Sequence, residues 1–156
     1  MFTVIVEKED GFRNKETYTL DPDRCSISYE AEGFNKESKP VNKTVSQTDA
    51  KKINEAFAAL DFSKIFKETD DLLGMDGWTL TCTLEFRMNQ VSVDVWCPNN
   101  CSSKPETAKL VKACELLESV FEQANDSSKS KKKTIYVEPE GYFTESAKKI
   151  LEGKEN

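Results

Sequence analysis

Apolar and polar residues alternate along several short blocks of the chain, which is the pattern of a half-buried β-strand. In the clearest block, residues 78–87, every even position is apolar and every odd position is polar. A second block follows at residues 91–95, where three valines share one face. Residues 88–90 between the blocks are predicted to turn the chain. The spacing therefore predicts a β-hairpin that runs from Trp78 to Trp96.

Trp96 interrupts this alternation, because its position places it with Ser92 and Asp94 on the polar face of the hairpin. An exposed tryptophan is a common anchor of protein interfaces. The alternative is that another part of the chain, either residues 33–45 or the C-terminal segment, packs over the ring. Of the two, cover by another part of the chain is slightly favoured. If the sheet carries a recognition surface, we expect Trp96, Asp94 and Ser92 to form it.

The rest of the pattern predicts more strands and two main helices. Blocks with a period of two predict strands at residues 2–7, 17–20 and 25–32. The polar stretch 33–45 is predicted to be a loop. Capping residues followed by apolar residues at helical spacing predict helices that begin at Ser46 and at Ser103. Together these elements predict an α+β fold, in which a β-meander, a helix, a β-hairpin and a long helix form an antiparallel sheet with helices packed on one face.

The composition changes along the chain and suggests its domain organisation. Residues 1–124 carry all the strong patterns and are predicted to form a single α+β domain. Residues 125–133, with the sequence NDSSKSKKK, are polar and of low complexity, so they are predicted to be a linker or loop. Residues 134–156 are predicted to form a strand and a short helix, a C-terminal tail element packed on the domain.

The chain contains no histidine, which removes Ser–His–Asp and Cys–His catalysis and imidazole metal ligands. Cys97 and Cys101 are a weak candidate for a metal site, because structural zinc needs four such ligands. Otherwise they are loop thiols. The remaining cysteines lie on apolar faces and are predicted to be buried: Cys25, Cys82 and Cys114. We expect reduced thiols, a cytoplasmic protein, and no metal or other cofactor.

The charge of the chain is concentrated in its body. Residues 1–124 carry 15 Lys or Arg against 22 Asp or Glu, whereas residues 125–156 carry 7 against 6. Nucleic-acid binding needs a basic footprint and is therefore disfavoured. An acidic body suits a basic protein partner, or it simply keeps the chain in solution. No apolar run is long enough to span a membrane.

No catalytic signature stands out, so function follows from these exclusions. The leading hypothesis is a non-enzymatic, acidic protein-binding module, an adaptor or an immunity-like protein that blocks a basic toxin. The alternative is a small-molecule-binding protein or an enzyme with a pocket between sheet and helices, for which Asp76, Asp94 and Tyr29 are the candidate lining residues.

Overall fold

Seven strands form one antiparallel sheet in the computed structural model of the chain. The structure describes residues 1–12, 14–33, 36–37, 39–69, 77–96, 98, 101 and 103–124. The strands are β1 (Thr3–Asp10), β2 (Lys15–Asp21), β3 (Ser26–Gly33), β4 (Lys36–Glu37), β5 (Val41–Thr44), β6 (Trp78–Phe86) and β7 (Asn89–Trp96). Their order in the sheet is β4-β3-β2-β1-β6-β7, and β5 also pairs with β3. The predictions for residues 125–133 and 134–156 lie outside the described residues.

The alternation of the sequence places most apolar side chains of the long strands on one face of the sheet; Ile5 and Trp96 lie on the other. The register pairs Val6 of β1 with Tyr18 on one side and with Cys82 on the other, and Cys82 pairs with Val93. All four side chains are buried. We call this side the inner face. The predicted α+β class, with its antiparallel sheet, is confirmed.

Three helices pack against the inner face: α1 (Gln47–Ala58), α2 (Phe62–Thr69) and α3 (Pro105–Gln123). Phe57, Ile65 and Leu117 contribute one fully buried side chain from each helix. Burial of a side chain of this size stabilises a fold by roughly 1.5–3 kcal/mol, so these contacts hold the layers together. Among the described residues, no helix has both the length and the apolar content needed to cross a membrane.

The first helix begins as predicted, with Ser46 Oγ accepting a hydrogen bond of 3.0 Å from the Asp49 amide. The third helix does not. Its N-cap is Lys104, whose side chain makes no capping hydrogen bond. Instead, the Glu68 carboxylate of α2 accepts hydrogen bonds from the amides of Glu106 and Thr107, at 3.0 and 2.8 Å. The prediction that Ser103 caps this helix is wrong, because a residue from a neighbouring helix takes that role.

Two further predictions are corrected by the sheet. Residues 33–45 are not simply a loop, because β4 and β5 both pair with β3. The hairpin turn is also shorter than predicted. Phe86 pairs with Asn89, so Arg87 and Met88 alone form the loop, and Arg87 adopts a positive φ of 58°.

Candidate protein-binding surface

The outer face of the sheet, opposite the helices, carries polar side chains on every long strand. We call it the open face. It is formed by the residues that alternate with the buried ones: Thr3, Ile5, Glu7 and Glu9 of β1, Lys15, Thr17, Thr19 and Asp21 of β2, Ser26, Ser28, Glu30 and Glu32 of β3, Thr79, Thr81, Thr83 and Glu85 of β6, and Gln90, Ser92, Asp94 and Trp96 of β7. None of these residues is buried by the described part of the chain.

Trp96, Asp94 and Ser92 lie together on this face, along the last strand of the described sheet. Asp94 Oδ1 accepts a hydrogen bond of 2.8 Å from Thr81 Oγ1 of the neighbouring strand. Ser92 Oγ and Thr83 Oγ1 are 3.0 Å apart. These cross-strand bonds hold both polar side chains in place on the open face, in the strand that ends with the half-buried Trp96.

The idea that residues 33–45 cover Trp96 is wrong for the part of that segment that the structure describes. The strands of this segment pair with β3, whereas Trp96 is in β7, and the two strands lie on opposite sides of the sheet order. Cover by the C-terminal segment concerns residues outside the described ranges.

Carboxylates dominate the charge of the open face. Its acidic residues are Glu7, Glu9, Asp21, Glu30, Glu32, Glu85 and Asp94, and Lys15 is the single cation at these outward positions. Lys15 Nζ lies 3.2 Å from Glu7 Oε2. The hydrogen bond to Glu7 is the main reason why the pKa of Lys15 is raised, and the charges of Glu7, Glu32 and Glu9 act in the same direction. One lysine therefore sits in an excess of negative charge.

A second surface feature, which we call the apolar groove, lies between the turn end of the β6–β7 hairpin and the junction of α1 and α2. Its volume is about 630 Å³. It is lined by Phe2, Phe57, Ala58, Leu60, Asp61, Phe62, Leu84, Glu85, Phe86, Asn89, Gln90 and Val91. Phe86 and Val91 are 47% and 48% exposed, although they occupy inward positions of their strands.

Phe2 is held at the wall of the apolar groove by a buried amide. Asn54 Oδ1 accepts a hydrogen bond of 3.2 Å from the Phe2 amide, and Asn54 Nδ2 donates one of 2.7 Å to the Phe2 carbonyl. Asn54 is 4% exposed. These two bonds fix the backbone of Phe2, just before β1, and so set the position from which its ring extends to the groove.

The described cysteines divide only partly as predicted: Cys82 and Cys114 are buried as expected, whereas Cys25, also predicted to be buried, is not. Cys82 and Cys114 are buried, and burial raises the pKa of the Cys82 thiol to about 12 and that of Cys114 well above its ordinary value. Cys25 is half-buried. Cys101, expected as a loop thiol, is buried, and Cys97 lies outside the described residues. Within the described ranges, no group of three or more Cys, Asp or Glu is placed to hold a metal ion.

Of the residues considered for a catalytic pocket, Tyr29 and Asp94 are not brought together. Tyr29 lies on the inner face, where its ring is 4.9 Å from that of Tyr18 and 5.8 Å from that of Phe121. Asp94 lies on the other side of the sheet, and Asp76 is outside the described residues. Tyr29 and Asp94 therefore cannot line one pocket.

In comparisons with known proteins, no protein-family model and no curated protein matches the chain. The open face and the apolar groove are therefore interpreted from their own chemistry.

The apolar groove was missed in the sequence pattern. The alternation of β6 predicts that Phe86 points to the core, and it does point to the inner side. Phe86 is nevertheless 47% exposed, and a strand pattern does not say how far the helices cover the inner face. The available signal was the number of phenylalanines near element ends, at positions 2, 62, 66 and 86.

Proposed function

We propose that this protein is a non-enzymatic protein-binding module that recognises a basic partner protein through the open face of its sheet. The observation that carries the proposal is the charge of that face, where seven carboxylates have two cations beside them among the described ion pairs, Lys15 at Glu7 and Arg24 at Asp21. An excess of one sign of charge steers a partner of the opposite sign and speeds its association.

Trp96 is the proposed anchor residue of the interface, which adds binding energy to the attraction between charges. Interface energy is concentrated in a few residues, among which tryptophan is enriched. The Trp96 ring is half-buried on β7, with Asp94 and Thr79 beside it. A ring fixed in a sheet loses little conformational freedom when a partner covers it. The polar neighbours, held by cross-strand hydrogen bonds, form the rim of the contact.

The proposal is tested by site-specific photo-crosslinking in the cells that make the protein. A photo-reactive amino acid replaces Ser92 on the open face, or Glu115 on the exposed side of α3 as the matched control. We expect a covalent partner from position 92 and none from position 115, and the partner is identified by mass spectrometry. Its contact surface is expected to be rich in lysine and arginine.

Binding of the recovered partner is then measured with purified proteins. Trp96→Ala is expected to weaken the affinity by about tenfold or more, the loss typical of an interface anchor. The affinity is also expected to fall as salt rises, because salt screens exposed charges over about 8–10 Å. A partner that crosslinks only from position 115, or one whose binding ignores both salt and Trp96, would rule the proposal out.

A further inference from the structure

The apolar groove is a second exposed surface with a chemistry different from that of the open face. Contiguous apolar patches on a protein surface commonly mark interaction sites. Here Phe86 and Val91 leave about half of their surface open to water. At the hairpin tip beside them, Met88 is 98% exposed. The tip is shaped by Arg87, whose guanidinium carbon lies 5.0 Å from the centre of the Phe86 ring.

The groove has the dimensions of a binding site and walls from different parts of the fold. Its volume of about 630 Å³ lies within the range of roughly 300–1,000 Å³ that is usual for ligand sites. One wall is the end of the β6–β7 hairpin, and the other is the junction of α1 and α2, with Phe57, Leu60 and Phe62. A site of this shape, open along one side, accommodates several apolar side chains of an extended or helical peptide.

Arg87 lies against the Phe86 ring, but the charged residues that line the groove itself are both acidic. They are Asp61 from the helix junction and Glu85 from β6, both carboxylates. No described ion pair engages either of them. Asp61 is instead used within the fold, where its Oδ1 accepts hydrogen bonds from Ser63 Oγ and the Lys64 amide. A segment that places lysine or arginine beside its apolar residues would complement this rim.

A second copy of the chain fits this rim less well than a basic partner does. Two copies meeting at the groove would bring Asp61 and Glu85 of both chains together, and each chain has a formal net charge of −6. Like charges brought together at an interface oppose association. The carboxylate rim therefore favours a different molecule.

We propose that the apolar groove binds an apolar peptide segment with basic flanks from a partner protein. The side chains that enter the groove contact Phe62, Phe86 and Val91, and the flanking cations lie beside Asp61 and Glu85. Asn89 and Gln90 also line the groove. Their side-chain amides are able to donate hydrogen bonds to the backbone of the segment and to accept hydrogen bonds from it. This site lies at the hairpin end of the sheet and shares Glu85 and Gln90 with the edge of the open face, but it uses neither Trp96 nor Asp94.

The probes are three synthetic peptides with one shared apolar centre of leucine and phenylalanine. Their flanks carry two lysines, two serines or two glutamates on each side. Each peptide is titrated into the isotope-labelled full chain, and binding is followed by nuclear magnetic resonance. We expect the lysine-flanked peptide to bind at least about tenfold more tightly than the glutamate-flanked one. The largest shifts are expected at Phe62, Phe86 and Val91.

Matched variants assign the binding to the groove. Phe86→Ser is expected to lower the affinity for the lysine-flanked peptide by about tenfold or more, because it removes a wall of the site. Phe12→Ser is the control, since Phe12 is 82% exposed and follows the other end of β1. It is expected to change the affinity by less than about twofold. Glu85→Gln is expected to reduce the preference for lysine flanks, and Trp96→Ala to leave peptide binding unchanged.

Other results would overturn the inference. Equal binding of the three peptides, or no binding of any, would contradict the proposal that the groove binds an apolar segment with basic flanks. Equal losses from Phe86→Ser and Phe12→Ser would mean that the peptides do not occupy the groove. A dimer in sedimentation experiments that Phe86→Ser dissociates would make a second copy the occupant. Nuclear Overhauser contacts between the groove and residues 125–156 of the same chain would make that segment the occupant of the groove.

Discussion

At the scale of single residues, Asn54 links the core to the wall of the apolar groove. It is one of few buried polar residues in the described part of the chain, together with Glu106 and Thr107. Both ends of its amide are used, one accepting from and one donating to the Phe2 backbone. A buried polar group is tolerated when it is hydrogen-bonded and becomes costly when its partner is lost.

We predict that Asn54→Leu lowers the free energy of unfolding by about 1–2 kcal/mol, because the amide and carbonyl of Phe2 lose their partners at a partly buried position. The change is measured by urea denaturation monitored by tryptophan fluorescence. Lys51→Leu, an exposed position on the same helix, serves as control and is expected to change stability by less than about 0.5 kcal/mol. Equal effects of the two variants would show that the paired bonds contribute nothing.

Arg87 shows at the same scale why some local structure was not predicted. It occupies the first position of a two-residue hairpin loop with a positive φ of 58°. Such loops favour glycine, asparagine or aspartate, which adopt positive φ with little strain. Without one of these residues, the sequence pattern placed the turn at residues 88–90. The pairing of Phe86 with Asn89 determines the observed turn instead.

At the scale of elements, α2 and α3 are joined by two carboxylates that each serve the other helix. Glu68 of α2 accepts from the first amides of α3, and Thr107 Oγ1 also donates to it at 2.8 Å. In return, Glu106 Oε2 of α3 accepts a hydrogen bond of 2.8 Å from the Asp61 amide, just before α2 begins. Each carboxylate also lies near the positive end of a helix dipole, where negative charge is stabilising.

Burial acts to raise the pKa of Glu68, but its hydrogen bonds from Thr107 and Glu106 outweigh that effect, so the pKa lies below its ordinary value of 4.5. A carboxyl group whose pKa is lowered by folding adds stability above its unfolded pKa, and this stability is lost as the pH falls through the folded value. The contribution of Glu68 is therefore present at neutral pH and disappears in acid.

We predict that Glu68→Gln is less stable than the natural protein at pH 7, and that the difference shrinks as the pH falls below about 4.5. Asp10 and Asp61 also have lowered pKa values, so both proteins lose stability in acid and only the difference reports on Glu68. Urea midpoints at a series of pH values measure it. Glu115→Gln, exposed on α3, controls for the loss of one helix carboxylate. A difference that stays constant with pH would contradict the role given to Glu68.

The elements themselves were largely predictable, and the contacts between them were not. A period of two over nine residues of β6 leaves one register in which the apolar side chains are buried. It therefore predicted which side of the hairpin Trp96 would occupy. The cap of α3 comes from Glu68, 36 residues before Lys104 in the chain, and no local pattern contains that information. The same holds for β5, whose short polar sequence pairs with β3.

At the scale of the whole molecule, the sheet separates two chemically different surfaces. The open face is polar and acidic, and the apolar groove lies at the hairpin end. The sequence predicted the residues of the first surface because they alternate with the core. It did not predict the second, since the groove brings together the hairpin end and the α1–α2 junction, which lie far apart in the chain.

The negative charge of the open face works against the free protein and in favour of the proposed partner. Carboxylates gathered on one side repel one another, and proteins commonly retain such local costs where function needs them. Glu30 and Asp94 occupy the same row of the face, in register across β2, β1 and β6. Neither takes part in a described ion pair, so neutralising them removes repulsion without breaking a contact to a cation.

We predict that Glu30→Gln combined with Asp94→Asn stabilises the protein by about 0.3 kcal/mol at low salt, a gain that salt removes by screening. The same two substitutions are expected to lower the affinity for the partner recovered by crosslinking and to reduce the salt dependence of its binding. The matched control is Glu55→Gln combined with Glu115→Gln, which changes the net charge equally on exposed positions of α1 and α3. Urea denaturation and titration calorimetry at two salt concentrations measure both effects. If the two pairs weakened binding equally, total charge rather than the open face would attract the partner.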